Sequence, residues 1–309
     1  MKLKLMLIFL LFFYNFAFAE TKSEIRFERD LKKISKLNSF VDNKGNPYEL
    51  DKNIDKDKTI ILIYTHGRWG SNQKINGCNR PWSKIPPAIY QLDGTQIKDL
   101  TIKTYQLCSG VRGWTKKEED KFLEIYRKNH YELNSVLNLK DKNGILLMDK
   151  FKDIQKFKVM KLKIDEFKIK GFNNIVLSGH SAGANGSIVL KSNFPNLING
   201  VISLHLGLSG GFGNSYKSRT NWRNYQISQI NWSQLGDVIL FTHDKDTAET
   251  RSTLSFLTKF DNIKFFDLSD TKCKKKKLLA GYHGIALTKC FANKDPRSKQ
   301  VIKYLEKLF

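Results

Sequence analysis

Short runs of branched apolar residues alternate with longer amphipathic stretches along most of this chain. Thr59 to Thr65, Leu100 to Leu107, Asn174 to Ser178, Val201 to Leu206, Val238 to Thr242 and Ile263 to Leu268 read as strands, and most are continuous apolar runs of the kind buried on both faces. Helical periodicity covers about Lys116 to Leu137, Lys150 to Ile169, Ser181 to Ser192, Thr250 to Phe260 and Arg297 to Leu308. The last has Asp295 as its N-cap and Pro296 at its first position. Strands and helices in alternation are the mark of βαβ units, so an α/β fold with a mostly parallel central sheet flanked by helices is expected.

Three stretches fall outside that rhythm. Glu20 to Asp57 is polar and Lys-rich, with a Lys44-Gly45-Asn46-Pro47 turn that predicts a short leading hairpin. The segment from about 109 to 149 exceeds what a plain crossover requires and carries one amphipathic helix, with Phe122, Ile125, Tyr126, His130, Leu133 and Leu137 on its apolar face. It is read as a helical insert, either capping a site or packed on the sheet edge. Leu208 to Trp232 holds Gly210, Gly211, Gly213, Tyr216, Trp222, Tyr225 and Trp232, and is read as an aromatic loop that either walls a pocket, with Trp222 facing the substrate, or simply packs its aromatics against the domain.

The start of the chain has its own pattern: Lys2 and Lys4, an apolar run from Leu5 to Phe16, then Ala17-Phe18-Ala19 before Glu20. This is the layout of a secretory signal peptide over residues 1–19, with an apolar core shorter than the ~20 residues of a membrane span. Residues 20–309 are then a single domain exported to a periplasm or to the exterior. The four cysteines, Cys78, Cys108, Cys273 and Cys290, all follow the cleavage site, an even number in an oxidising compartment, and predict two disulfides. Pairing of neighbours, Cys78 with Cys108 and Cys273 with Cys290, is the simplest of the three possible connectivities. No paired C-x-x-C spacing points to a structural metal.

Composition narrows the choice of partner. The formal net charge is +23, which suits an anionic surface, but 43 of the 53 basic residues are lysine. Lysine lacks the planar fork that reads phosphate and bases, and no nucleic-acid-reading motif is present. A lysine-rich exported surface, suited to peripheral contact with an anionic envelope, is the simpler account.

The sharpest chemistry is Gly179-His180-Ser181-Ala182-Gly183, a G-x-S-x-G pentapeptide between the apolar run Ile175 to Ser178 and a helix with a small-residue first turn. Strand, tight turn and helix in that order form a nucleophile elbow, in which Ser181 projects above the sheet. A serine hydroxyl needs a base to take its proton and a carboxylate to orient that base. Of six histidines, His283 is the candidate base, because Gly281-Tyr282-His283-Gly284 lies after the last strand and before the terminal helix. His180 points elsewhere on the turn, His130 and His205 lie inside a helix and a strand, and His243 sits beside the candidate acids. The acid is Asp246, with Asp244 as the alternative, in the turn after Val238 to Thr242.

These residues resemble the α/β-hydrolase fold superfamily from about Thr59 to Phe309, in the chain order Ser181, Asp246, His283. The turn Thr65-His66-Gly67-Arg68-Trp69-Gly70 is similar to the His-Gly turn of that superfamily. The resemblance implies an oxyanion hole from the backbone N–H groups of Ala182 and Arg68, and His66 as a packing residue of the turn. Arg68 and Trp69 are the expected substrate neighbours. It also implies an acyl-enzyme mechanism without cofactor, acting on carboxylic esters of small molecules or lipids. Transfer to another acceptor, amide or peptide cleavage, and non-catalytic binding to an anionic envelope are the alternatives. No subfamily is identified, and the acid turn lacks the glycine found shortly before the acid in many relatives.

Overall fold

All seven residues of Thr59–Thr65 are buried. Such a strand needs apolar cover on both faces, and its side chains are divided between two cores: Ile61 and Ile63 enter one, Ile60, Leu62 and Tyr64 the other. The computed structural model describes residues 40–41, 53–67, 84–108, 115–209, 216–273 and 279–309. The signal peptide, the leading hairpin, Arg68, Trp69, Cys78 and the glycines of the aromatic stretch lie outside these.

Among the described residues the sheet contains β1 (Phe40–Val41), β2 (Thr59–Thr65), β3 (Gln96–Ile97), β4 (Leu100–Leu107), β5 (Asn174–Ser181), β6 (Gly200–Leu206), β7 (Val238–Thr242) and β8 (Ile263–Asp267). Their spatial order is β1-β4-β2-β5-β6-β7-β8, with β3 paired to β4. The run from β4 to β8 is parallel throughout, and the short β1 and β3 are antiparallel to β4. The chain moves from β2 outward to β4 and then returns to the other side of β2 as β5. The carboxyl ends of β2 and β5 therefore flank a switch point, where a parallel sheet opens its crevice.

Helices cover both faces. α1 (Pro87–Tyr90), α2 (Lys116–Lys128), α3 (Asn134–Leu137), α4 (Lys152–Ile169), α5 (Ala182–Asn193) and α6 (Tyr216–Ser228) come before the short strand β9 (Leu279–Tyr282), and α7 (Lys289–Lys294) and α8 (Gln300–Leu308) follow it. Met160, Ile164 and Phe167 of α4 and Ile188 of α5 fill one core. Ile89 of α1, Phe291 of α7 and Val301, Tyr304 and Leu305 of α8 fill the other. The insert has a third core, in which Phe122, Tyr126, Val136 and Phe151 surround Trp222 of α6.

The six sequence-predicted strands all form, three at the expected bounds and three longer or shorter by one to three residues at an end. The helices depart more. The stretch from Lys116 breaks after Lys128, where His130 and Tyr131 take positive φ of 52° and 65° and the Tyr131 ring packs edge-on against Tyr126 at 5.3 Å. Burial of that aromatic pair outweighs continuation of the helix. The expected helix over Thr250 to Phe260 shrinks to a 3-10 turn at Ser255–Lys259. Its hydroxyls explain why: Thr253, Ser255 and Thr258 donate to backbone carbonyls three residues back, at 2.9, 2.8 and 2.7 Å, and so compete with helical bonding. The expected aromatic loop contains α6 instead, and Trp222 is fully buried against Phe151, with ring centroids 4.7 Å apart. None of its surface is open to a bound molecule, so it packs the insert onto the domain rather than lining a pocket.

Cys273 and Cys290 form a disulfide across 17 residues of sequence, enclosing β9, His283 and the start of α7. Among the described residues no helix is long and apolar enough to cross a membrane.

Two glycines permit the contact between β5 and β2 on which this arrangement turns. A Cβ on Gly183 would stand 2.2 Å from the Thr65 carbonyl oxygen and 2.7 Å from that of His66, and one on Gly179 would stand 2.4 Å from the Gly183 carbonyl carbon. All of these obstacles are backbone. Gly183→Ala is expected to cost about 3 kcal/mol and to lower the melting temperature by roughly 5–10 °C. Gly186→Ala, facing only the flexible Met160 at 3.1 Å, should change stability by less than about 1 kcal/mol, and thermal denaturation of the two variants checks the contrast.

Candidate active site

β5 ends in Ser181, whose backbone lies at φ 54°, ψ −121°. That region is strained for any residue with a Cβ, and here the strain comes from turning a strand into α5 within one residue. The helix starts at Ala182, so its unpaired N–H groups and positive dipole end lie beside the Ser181 side chain. Thr65 fastens the elbow to β2, since its hydroxyl lies 3.3 Å from the Ser178 carbonyl and 3.2 Å from that of Gly183.

The acid comes from the turn after β7. Asp246 Oδ1 accepts N–H bonds from Ala248 at 2.8 Å and Glu249 at 3.3 Å, so this carboxylate closes its own turn. It also faces His283 Nδ1, with Oδ1 at 2.8 Å and Oδ2 at 2.9 Å. Burial would push the Asp246 carboxyl up, but hydrogen bonds from His205 and His283 overcome that and hold it well below the usual carboxylate range. Asp244, the alternative, is half-exposed beside His243, whereas Asp246 is the carboxylate that faces His283. His283 donates through Nδ1, which leaves Nε2 as the acceptor nitrogen; Nε2 is buried and makes no hydrogen bond, so the Ser181 hydroxyl is not bonded to it here.

Two more histidines surround this pair. His180 Nε2 lies 2.7 Å from the main-chain carbonyl of His283; a carbonyl only accepts, so Nε2 carries the proton. The two rings sit 4.6 Å apart, which brings the base to the elbow. Burial and the nearby His283 push the His180 pKa well down, keeping the ring neutral. His205 Nδ1 reaches Asp246 Oδ2 at 2.9 Å, and its Nε2 accepts the Ala286 N–H at 3.4 Å. The atoms of His205, Asp246 and His283 lie within 4.8 Å of one another, close enough for a metal ion. Acceptance at Nε2 places the His205 proton on Nδ1, however, so in this arrangement that nitrogen has no lone pair to give a cation.

The turn after β2 lies against the elbow. His66 Nδ1 donates to the Gly67 carbonyl at 2.7 Å, which fits its expected packing role. Lys156 of α4 donates to the carbonyls of His66 and Gly67. Burial pushes the His66 imidazole down to about 3, and the Lys156 charge adds to this. Burial also pushes the Lys156 ammonium down to about 7.

The structure thus brings together Asp246 and His283, sets Ser181 on its elbow next in sequence to His180, whose ring lies 4.6 Å from that of His283, and starts α5 at Ala182. His205 and Gly207 were not foreseen. His205 was hidden by its place inside a strand run. Gly207 had no motif around it, yet a Cβ there would lie 2.6 Å from Ser181 Oγ and 3.1 Å from the Ser181 Cα.

Gly207→Ala is therefore expected to push the serine hydroxyl aside and lower kcat roughly 100-fold with little change in melting temperature, a pattern that steady-state kinetics and calorimetry would separate. Lys156 gives a pH signature. Its folded pKa lies below the unfolded value of 10.5, so between about pH 7 and 10.5 the unfolded chain binds the extra proton and stability rises with pH. Urea unfolding at pH 7 and pH 10 should show the wild type gaining several kcal/mol relative to Lys156→Met across that range.

No protein-family model matches the chain, and a comparison with curated proteins finds no match. Among solved structures it is similar to the Est1E protein of Butyrivibrio proteoclasticus, at 12% identity over 87% of this chain and 96% of that one, with a TM-score of 0.43. It is also similar to a monoacylglycerol lipase of Paleococcus ferrophilus, at 11% identity over 81% and 95%, TM-score 0.46. A carboxylesterase of Bacillus cereus is similar at 16% identity over 88% and 94%, TM-score 0.41. Likeness at this level says nothing of substrate, and the reading of activity rests on the site itself. In strand order, with a tight turn into a helix after β5, a carboxylate after β7 and a histidine after β9, the chain has the α/β-hydrolase fold arrangement.

Proposed function

We propose that this chain is an exported serine hydrolase that cleaves carboxylic esters through an acyl-enzyme. The observation that carries the reading is the Asp246–His283 pair, bonded at 2.8 Å through Nδ1 with Nε2 buried and unoccupied, beside a serine on a strained strand-to-helix turn. Each part answers a requirement of acyl transfer. His283 Nε2 takes the proton of Ser181 as the hydroxyl oxygen attacks the ester carbonyl, and returns it to the leaving alkoxide. Asp246 stays ionised throughout, fixes the tautomer and stabilises the imidazolium. The N–H of Ala182, together with that of Arg68, holds the oxygen of the tetrahedral intermediate; loss of one such donor typically costs ~3–4 kcal/mol. A water activated by the same His283 then attacks the acyl-enzyme, releases the acid and restores Ser181. No step calls for a cofactor.

Export rests on the sequence of residues 1–19, and the Cys273–Cys290 disulfide supports an oxidising destination. The lysine-rich surface suits work near an anionic envelope.

A fluorophosphonate should add one phosphonyl group to Ser181 of the folded protein, read by peptide mass spectrometry, with none on Ser181→Ala. An adduct that survives Ser181→Ala, or no adduct at all, overturns the proposal. Turnover of p-nitrophenyl esters should fall about 10,000-fold or more in Ser181→Ala and His283→Ala. The acyl length with the highest kcat/KM then sizes the pocket.

A further inference from the structure

His205 occupies an odd place in the sheet. β5 and β6 pair in regular parallel register until His180 lies opposite Leu204, after which Ser181 lies opposite Leu206. His205 is the extra residue of a bulge and takes φ 57°, a conformation that is strained for a residue with a Cβ. Its side chain is fully buried. An aliphatic residue in unbroken register would suit a strand whose other six residues are also buried, so strand packing does not account for a strained, buried imidazole here.

Its contacts do account for it. The bulge turns the ring toward the turn after β7, where Nδ1 donates to Asp246 Oδ2 at 2.9 Å. On the far side Nε2 accepts the N–H of Ala286, three residues beyond His283, at 3.4 Å. One ring therefore touches both the acid and the loop of the base. His180 holds that loop from the elbow side through the His283 carbonyl.

Resting on the serine hydrolase reading above, we propose that His205 is a positioning residue of the site: it shares the Asp246 carboxylate with His283 and thereby limits how strongly that carboxylate stabilises the His283 imidazolium. Each hydrogen bond that a carboxylate accepts disperses part of its negative charge. With two imidazoles on Asp246, less of that charge is available to His283, which then releases its proton more readily in the second half of each step. Removing the His205 donor concentrates the charge on His283 and makes it harder to deprotonate.

The other groups facing this pair are few. His180 stands at the end of β5 and His243 after β7, and burial lowers the pKa of both, and of His205 itself, which favours their neutral forms. Glu249, on the acid turn, is bound by Arg223 at 3.0 Å and by the Ser209 hydroxyl. Asp244 and Lys245 are exposed.

The experiment compares His205→Asn with His205→Gln in the full-length protein. The Asn amide lies where Nδ1 was and can still donate to Asp246; the Gln amide extends to the Nε2 position and cannot do both. The expected result is that His205→Gln moves the acidic limb of kcat/KM for a p-nitrophenyl ester upward by half to one pH unit, a three- to tenfold loss below that limb, while His205→Asn leaves it within 0.2 units of wild type. An unmoved limb in both variants, with both merely less stable, overturns the proposal. If neither variant folds, the side-chain nitrogen spectrum of wild type decides: it must show His205 neutral with its proton on Nδ1, and an Nε2–H tautomer or a charged ring refutes the idea. Ser181 labelling of the wild type by a fluorophosphonate keeps the two failures apart, since absence of label sinks the hydrolase reading itself.

Discussion

A carboxylate with no exposed surface has to be surrounded by donors, and Asp246 is such a carboxylate. Its side chain is wholly buried, and isolated burial of that charge would cost more than a domain of this size can hold in reserve. Four donors meet the demand: two backbone N–H groups of its own turn and two imidazoles. Those imidazoles come from β6 and from the loop after β9, which are distant in sequence. Satisfying one negative charge therefore fixes the relative positions of three segments, and the bulge, the disulfide-bounded loop and the acid turn can be read as separate ways of supplying that group.

The second constraint is closeness of backbone. Gly179 and Gly183 let α5 descend onto the carbonyls of Thr65 and His66, so the elbow and the turn after β2 form a single rigid piece. Lys156 and His66 bind the carbonyls of that turn.

Much of this was legible in the sequence because it is local. Continuous apolar runs marked β2, β5, β6 and β7 at or close to their bounds, since a strand buried on both faces has no polar face to confuse the pattern. The pentapeptide around Ser181, the turn with Asp246 and the loop with His283 are each contiguous, and chain order linked them. The remainder was hidden where the deciding partner is remote. Nothing near Trp222 says that Phe151 will cover it, and the hydroxyl-rich stretch after Thr250 carried helical spacing while its side chains competed for the backbone. His205 was hidden most completely. Inside an apolar run it reads as strand, and only the pairing of β6 with β5 shows that it is surplus to the ladder.

That surplus has a consequence for how such a site can arise. Ser181 faces Leu206 across the ladder with one residue left over, so removing residue 205 would restore ordinary pairing without disturbing any strand on either side. The second imidazole is in this sense detachable: a single inserted or deleted codon adds or withdraws it while the sheet keeps its order.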